Sequence, residues 1–315
     1  RRNASFHVYF AESADTRIVC PRDAMNPTEI ATSLGWSVES QAVEGNATRL
    51  HVAKDKKRAL LYVFDDPALA ARMAWSQHPD RAAQLFAVPE IIDQGDTWCL
   101  TQPINGVTIS ELMARSNEAV VTPQLARELG ELLRKLHSTN LSTESVFGDA
   151  LPTGERWLTF NGYVAAQFER FAEDVRTLEL DDETTSAILS SIGQIRQELA
   201  SFHPRSPTTL VHGKIDFQHI WVDEHARNVV AITGFDTAAI LPAEVDLAWL
   251  LWIKEFDSME LARALYRGYG AARTMDVQRR ERFFRRLVAF HALYGDFGAV
   301  SVDRDRLVKL AIETA

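Results

Sequence analysis

Strand-like and helix-like segments are segregated along this chain, and this segregation limits the possible folds more than any other feature. Three runs rich in β-branched and aromatic residues occur in the first third: "SVESQAV", "ATRLHVA" and "RALLYVF". The turn-like segments "EGN" and "KDKK" separate them. Two further runs, "FAVPEIID" and "TWCLTQPI", surround a predicted turn at Gly95 and Asp96. Helical patterns dominate after Thr108. Strands followed by helices predict an α+β fold.

Two helices have clear start signals. In "NPTEIATSLGW", Asn26 can cap, Pro27 suits the first helical position and Glu29 completes a capping box. In "TPQLARELGELLRKLHS", Thr122 caps and Pro123 opens the helix. An apolar stripe at helical spacing then predicts a core helix; it consists of Leu125, Leu129, Leu132, Leu133 and Leu136. The segment "DPALAARMAWSQ" is also predicted to be helical, and residues 6–24 to form one or two short strands.

Near residue 220 the helical pattern is interrupted. Two strand-like runs, "HIWVD" and "NVVAITGFD", flank the polar "EHAR" and predict a hairpin. A run of arginines, Arg279, Arg280, Arg282, Arg285 and Arg286, is interpreted as a solvated helix face. We therefore expect two lobes, a strand-rich N-terminal lobe over residues 1–103 and a mostly helical C-terminal lobe over residues 104–315 that carries one hairpin.

Composition excludes several classes of partner and site. The net charge of −9 argues against binding to a phosphate backbone, so no nucleic-acid partner is expected. No apolar run is long enough to cross a bilayer, so no membrane partner is expected either. The two cysteines, Cys20 and Cys99, form no CxxC pair and no zinc-like cluster. A reducing, cytoplasmic location is the expectation.

The segment "VHGKIDFQHIWVD", followed by "VVAITGFDTAAILPAEVDLAWL", carries the most specific signal. It resembles the catalytic region of the aminoglycoside phosphotransferase and choline kinase branch of the protein-kinase-like fold. His212 and Gly213 match the start of the family's loop, Asp236 its metal-binding aspartate, and Asp246 its last motif. The order of elements agrees over roughly residues 28 to 300. The resemblance implies a bilobal fold with a nucleotide cleft between the lobes.

The departures from the family pattern lie where its chemistry is performed. Phosphoryl transfer depends on positioning and on charge, with an aspartate as base, metal ligands and a lysine on the phosphates. Lys214 stands at the position of the catalytic aspartate, and His219 at that of an asparagine ligand. Imidazole is a poor Mg²⁺ ligand because Mg²⁺ prefers hard oxygens. Tyr62 stands near the position of the phosphate-binding lysine, and "PALAARMAWSQ" has no acid to pair with such a lysine.

The resemblance assigns candidate site residues, and some of them have more than one possible role. The degenerate catalytic loop comprises His212, Lys214 and Asp216; the cofactor side comprises Gly45, Tyr62, Thr101 and Gln102; the metal ligands are Asp236 and His219. His212 is expected to be structural rather than catalytic, and Asp246 to hold the loop through its backbone amides. Asp236 is either a metal ligand or a turn residue.

Three functions are compatible with this pattern. The first is a pseudokinase that binds a small molecule or a protein in the interlobe cleft, with no certain cofactor. The second is an active small-molecule phosphotransferase using ATP and Mg²⁺ with rearranged groups, such as Asp216 as the base. In the third, Lys214 and His219 hold an anionic ligand or a metal other than magnesium.

Overall fold

The structure is a computed structural model. It describes residues 26–44, 46–78, 81, 87–115, 120–138, 146–175, 180–201, 208–252, 256, 258–294, 308–309 and 311–312. The strands predicted within residues 6–24 lie outside the described residues, as do Cys20 and Gly45.

The N-terminal lobe is an antiparallel sheet with a helix on each face. Its strands are β1 (Ser37–Glu44), β2 (Ala47–Lys54), β3 (Lys57–Phe64), β4 (Ile91–Gln94) and β5 (Trp98–Thr101), in the order β1-β2-β3-β5-β4. Helix α1 (Pro27–Ser33) covers one face through Ile30 and Ala31, and helix α2 (Pro67–Ser76) covers the other through Ala70 and Met73. Asn26 Oδ1 accepts a hydrogen bond from Thr28 N, 2.9 Å away, which confirms the predicted cap. All five predicted strands of this region are present.

The C-terminal lobe is mostly helical in its described residues, as predicted. Its helices are α3 (Ile109–Arg115), α4 (Pro123–His137), α5 (Phe160–Asp174), α6 (Asp182–Ser201), α7 (Glu244–Trp252), α8 (Met259–Tyr269) and α9 (Met275–Tyr294). Helix α3 was not predicted individually. Thr122 Oγ1 caps α4 by accepting from Leu125 N at 3.2 Å, and all five leucines of the predicted stripe are buried in the main core. In the described part of the chain, no helix is both long and apolar enough to cross a membrane.

The C-terminal lobe holds more strands than predicted. The predicted hairpin is present as β10 (Ile220–Val222) and β11 (Val229–Ile232), and β6 (Val107–Thr108) extends it. A second sheet was not predicted; it contains β7 (Phe147–Asp149), β8 (Arg156–Trp157), β9 (Thr208–Val211) and β12 (Ala239–Pro242). These strands have two to four residues, which is too short for an alternating pattern to be visible in the sequence.

The bilobal α+β architecture is confirmed. Residues 102–106, between β5 and β6, connect the two lobes and are called the hinge segment below. The predicted boundary at residues 103 and 104 falls within it and stays a prediction. The interpretation of the arginine run as a solvated face was wrong for Arg286, which is buried and paired with Glu198 at 2.9 Å. A buried arginine needs such a partner because an isolated buried charge is costly.

Candidate functional site

The candidate site is built on the loop between β9 and β10, residues 212–219, and on the segment that follows β11. The chain leaves β11 through Thr233 and Gly234 and enters a short 3-10 helix, Phe235–Thr237, that carries Asp236. Gly213 has a φ of +87°, and a Cβ atom there would lie 2.1 Å from Thr237 O. Only glycine tolerates that combination of backbone angle and close approach. The two segments are therefore in direct contact.

Asp246 at the start of α7 holds the loop in place. Its Oδ2 accepts a hydrogen bond from His212 N at 2.8 Å, and its Oδ1 accepts one from Gly213 N at 2.9 Å. His137 Nε2 lies 3.0 Å from the same carboxylate. Burial would raise the pKa of Asp246, but the hydrogen bond and charge of His137 outweigh burial and lower it. The structural role predicted for Asp246 is confirmed.

His212 has a structural position as well. The ring is fully buried, and Nε2 lies 2.6 Å from Thr233 O. Nδ1 accepts a hydrogen bond from Lys214 N at 3.4 Å, so Nε2 carries the proton and donates it to the carbonyl. Burial lowers the pKa of His212 to about 4. The ring is therefore neutral near pH 7, and it ties the loop to the end of β11.

Lys214 is buried, with 5% of its surface exposed, where the family has its catalytic aspartate. Burial lowers the pKa of Lys214, and the charges of Asp216 and Asp236 oppose that shift. The cation thus lies in the electrostatic field of two carboxylates. A divalent metal ion brought between the same two groups would be repelled by it, since like charges at short range disfavour each other strongly in a buried site.

Asp216 and His219 form a pair within the loop. Asp216 Oδ1 lies 2.9 Å from His219 Nδ1 and accepts a hydrogen bond from Gln218 N at 2.8 Å. Burial alone would raise the pKa of Asp216, but the charge and hydrogen bond of His219 outweigh it and lower the pKa to about 2. A general base works best with a pKa near the working pH. The carboxylate orients His219, and it is a weak proton acceptor.

The predicted metal ligands do not form a complete site. Asp236 is buried, and burial raises its pKa while the charges of His219 and Lys214 oppose the shift. Among the residues that the structure describes, no group of three or more His, Cys, Asp or Glu side chains is arranged to hold a metal ion. The residues present therefore do not fit Mg²⁺, which needs several oxygen ligands in octahedral geometry. The assignment of Asp236 and His219 as metal ligands stays a prediction.

Helix α2 contributes a contact to the candidate site that sequence reasoning missed. Arg72 donates from Nε and Nη2 to the two carboxylate oxygens of Asp149, at 3.0 and 2.7 Å. Its Nη1 donates to Asp236 O at 2.7 Å. The sequence showed that this helix has no acid to pair with a phosphate-binding lysine. The contacts of Arg72, which lies in the same helix, were not predicted. The available signal was the single basic residue of the helix.

On the N-terminal lobe, the predicted cofactor residues in the described part of the chain differ in burial and in their contacts. Tyr62 is buried in the cluster between the sheet, α2 and the β10–β11 hairpin. Thr101 is buried at the end of β5, and its hydroxyl donates to Gln102 O at 3.2 Å. Gln102 is exposed and donates to Glu90 Oε2 at 2.9 Å. The assignment of these residues to a cofactor stays a prediction.

Arg49 was also missed, although it lies beside the position expected for the phosphate-binding lysine. It is on β2, directly opposite Tyr62 in the sheet register, and it is buried. Arg49 Nη2 contacts Glu111 Oε1 of α3 at 2.7 Å, and the guanidinium lies 4.5 Å from the ring centre of Trp221 on β10. This cation joins the two lobes through an ion pair and a cation–π contact.

Trp221 also contacts His51 across the cleft. The ring centroids are 6.1 Å apart, with an interplanar angle of 48°. Trp221 is fully buried, and its Nε1 donates to Thr233 Oγ1 at 3.1 Å. Side chains from both lobes therefore fill the inner part of the cleft between the sheet and the hairpin.

The two lobes, the hinge segment and the loop held by Asp246 define a protein of the kinase-like phosphotransferase class. The sequence profile described as the phosphotransferase enzyme family, APH, matches residues 44–284. The chain belongs to this family. No curated protein sequence matches it.

Solved structures agree in fold. Aminoglycoside phosphotransferase APH(4)-Ia superposes with a TM-score of 0.67 at 17% identity, covering 90% of this chain and 96% of that chain. A macrolide 2'-phosphotransferase type I superposes with a TM-score of 0.58 at 15% identity, covering 90% of this chain and 95% of that chain. A choline/ethanolamine kinase family protein from Mesorhizobium loti superposes with a TM-score of 0.57 at 15% identity, covering 81% of this chain and 78% of that chain. At these identities the likeness concerns the fold alone.

Proposed function

We propose that this member of the phosphotransferase family is a pseudokinase, which acts by binding a ligand or a partner and does not transfer a phosphoryl group. The observation that carries the proposal is the direct contact of His51 with Trp221 across the interlobe cleft, at 6.1 Å between ring centroids. A flat base inserted between two rings needs about 7 Å between them, because each stacked pair of layers is separated by roughly 3.5 Å. The tilt of 48° reduces the space further.

The charges of the loop support the same proposal. Catalysis of phosphoryl transfer needs groups that position the nucleophile and stabilise the charge developing on the phosphate. Lys214 replaces the carboxylate that accepts the hydroxyl proton. Arg49, which lies on β2 outside the loop, contacts Glu111 and Trp221, so its charge is already paired within the protein.

The alternative of an active phosphotransferase requires Asp216 as the base. With a pKa lowered to about 2 and a hydrogen bond to His219, this carboxylate would take a proton from an alcohol with difficulty. The hypothesis of a metal held by Lys214 and His219 gains no support from the described residues, among which no three His, Cys, Asp or Glu side chains are grouped to hold a metal ion. The cytoplasmic location and the absence of a nucleic-acid partner remain predictions from composition.

The experiment is a thermal-shift measurement with ATP and Mg²⁺. A ligand stabilises a protein in proportion to its binding to the native state, so we expect no shift of the melting temperature at millimolar ATP. A shift of several degrees would show that the cleft admits a nucleotide and would overturn the filled cleft as the basis of the proposal. The matched control combines Lys214→Asp, His219→Asn and Trp221→Leu, which restores two family residues and empties part of the cleft; any shift gained there shows that the assay detects nucleotide binding.

A turnover assay gives a second, independent test. ATP consumption is measured with a pool of amino alcohols and amino sugars, for the unmodified protein and for Asp236→Ala. We expect no consumption above background for either protein. ATP consumption that disappears in Asp236→Ala would overturn the proposal.

A further inference from the structure

A cavity of about 250 Å³ opens at the outer edge of the interlobe cleft. Three parts of the fold enclose it: the ends of β1, β2 and β3 next to the hinge, the hinge segment itself, and the turn of the β10–β11 hairpin. Leu60 is buried and Ile104 is partly buried, and together they provide an apolar floor. The filled inner cleft described above lies beyond His51, which lines this cavity and contacts Trp221.

The rim of the cavity is polar and carries an excess negative charge. Arg58 and Glu39 pair with each other, with Nε and Oε2 3.2 Å apart, so their charges cancel. Burial, followed by the charge of Arg49, lowers the pKa of His51, so its ring is neutral near pH 7. Glu224, at the hairpin turn of the other lobe, is exposed and contributes a carboxylate. The ionisable groups that line the cavity therefore sum to one negative charge.

We propose that this cavity binds a small organic monocation, an amine or amidine with a compact apolar body. The apolar body would rest on Leu60 and Ile104, and the cationic group would face Glu224. This volume is smaller than that of most drug-sized pockets, so the ligand is of fragment size. The inference rests on the proposed function in one respect, namely that the cleft is available to a ligand other than a nucleotide.

The same features disfavour a nucleotide at this position. The lining carries two carboxylates, Glu39 and Glu224, and its arginine, Arg58, is paired with Glu39, so its net charge disfavours an anionic triphosphate. A monocation instead gains attraction from Glu224 and leaves the pair of Glu39 with Arg58 intact. The charge of the rim thus separates the two ligand classes.

The test uses benzylamine as the probe and benzyl alcohol as its neutral counterpart. Binding to the full chain is measured by calorimetry or by ligand-observed NMR. We expect benzylamine to bind more tightly than benzyl alcohol, and Glu224→Gln to weaken benzylamine about twofold to fivefold, as for loss of an exposed charge pair. Glu260→Gln, an equal change of charge at an exposed position of α8, should leave the affinity unchanged.

A second variant tests the location without changing charge. Asn105 is exposed in the hinge segment and lines the cavity, so Asn105→Trp should fill it and abolish benzylamine binding while leaving the melting temperature nearly unchanged. No detectable benzylamine binding, equal binding of the alcohol, or indifference to Glu224→Gln or Asn105→Trp would overturn the inference.

Adenosine and ATP distinguish failure of the inference from failure of the proposed function. Adenosine competing with benzylamine for this cavity would overturn the monocation inference alone. Stabilisation by ATP with Mg²⁺ would show that the cleft admits a nucleotide, and ATP consumption that disappears in Asp236→Ala would overturn the proposed pseudokinase function. Benzylamine binding that is sensitive to Glu224→Gln, with no response to ATP, supports both.

Discussion

Arg72 and Asp149 are 77 residues apart in the sequence and form a bidentate ion pair that joins α2 of the N-terminal lobe to β7 of the C-terminal lobe. About a fifth of each side chain is exposed, so the pair is well shielded from solvent. The third contact of Arg72, to Asp236 O, ties the 3-10 helix to the same point. Together with Arg49 and Glu111, this pair connects the lobes at two separate places.

Replacing Arg72 should destabilise the protein strongly. In Arg72→Ala, Asp149 keeps a charge without its partner, and we expect a loss of about 3 kcal/mol in the free energy of unfolding. Arg72→Lys should recover only part of this loss, because an ammonium group cannot make two parallel hydrogen bonds. Urea unfolding measures both. Arg127→Ala, which breaks an exposed pair with Glu131, should cost less than about 1 kcal/mol and serves as the control.

Asp246→Asn tests the anchor of the loop. The amide replaces one acceptor oxygen with a donor that faces either a backbone N–H or His137, so at least one contact is lost. We expect a loss of roughly 3 kcal/mol in urea unfolding, since the carboxylate is fully buried. Asp96→Asn, at an exposed turn, should be neutral. Equal stability of the two variants would contradict the anchoring role of Asp246.

The pKa of His212 predicts a pH dependence of stability. In the unfolded chain the ring takes up a proton below about pH 6.5, whereas in the folded protein it does so only near pH 4. Between these values the unfolded state binds more protons, so stability falls as pH falls from 6.5 to 4, by about 3 kcal/mol for this group.

His212→Gln isolates that contribution. Glutamine can still donate a hydrogen bond to Thr233 O but does not titrate, so the decline in stability between pH 6.5 and 4 should become shallower. Urea unfolding at several pH values gives the two slopes. His225→Gln, at the exposed hairpin turn, should retain the full slope. A slope that does not change in His212→Gln would exclude His212 as its source.

Gly234 and Gly193 should respond to alanine in opposite directions. Gly234 has a φ of +80°, and a Cβ atom there would lie 2.1 Å from His219 Cδ2, so Gly234→Ala should cost at least about 2 kcal/mol. Gly193 is within α6 with nothing within 4 Å of an added Cβ, so Gly193→Ala should stabilise by about 0.5 to 1 kcal/mol. Thermal unfolding of the two single variants is sufficient. A neutral Gly234→Ala would show that the loop around His219 adjusts freely.

The sequence was sufficient where the structure follows a local period. The apolar stripe from Leu125 to Leu136 repeats with the helical period, and strands β1 to β3 are runs of strand-like composition between turn-like segments; both were predicted correctly. The loop motif with His212 and Gly213 and the later Asp246 indicated the family, and the structure adds the hydrogen bonds that connect them.

The parts that were missed depend on contacts between distant residues. His137 reaches Asp246 across 109 positions, and Arg49 reaches Glu111 across 62. No local pattern indicates such partners. An arginine on a strand is normally exposed and solvated, so the sequence gives no reason to expect it to be buried in a pair. The strands β7, β8, β9 and β12 were missed since they are short and are stabilised by pairing with one another.

The packing of Trp221 against His51 and Arg49 has an evolutionary consequence. Under the proposed function, exchange of Lys214 for aspartate alone would give no activity, because the rings of Trp221 and His51 still fill the inner cleft. Replacement of Trp221 alone by a smaller residue would leave a cavity and remove the cation–π contact of the buried Arg49. That variant would be less stable. Under the proposed function, any route to phosphoryl transfer would therefore pass through variants that are either inactive or less stable, which makes that function difficult to gain by single substitutions.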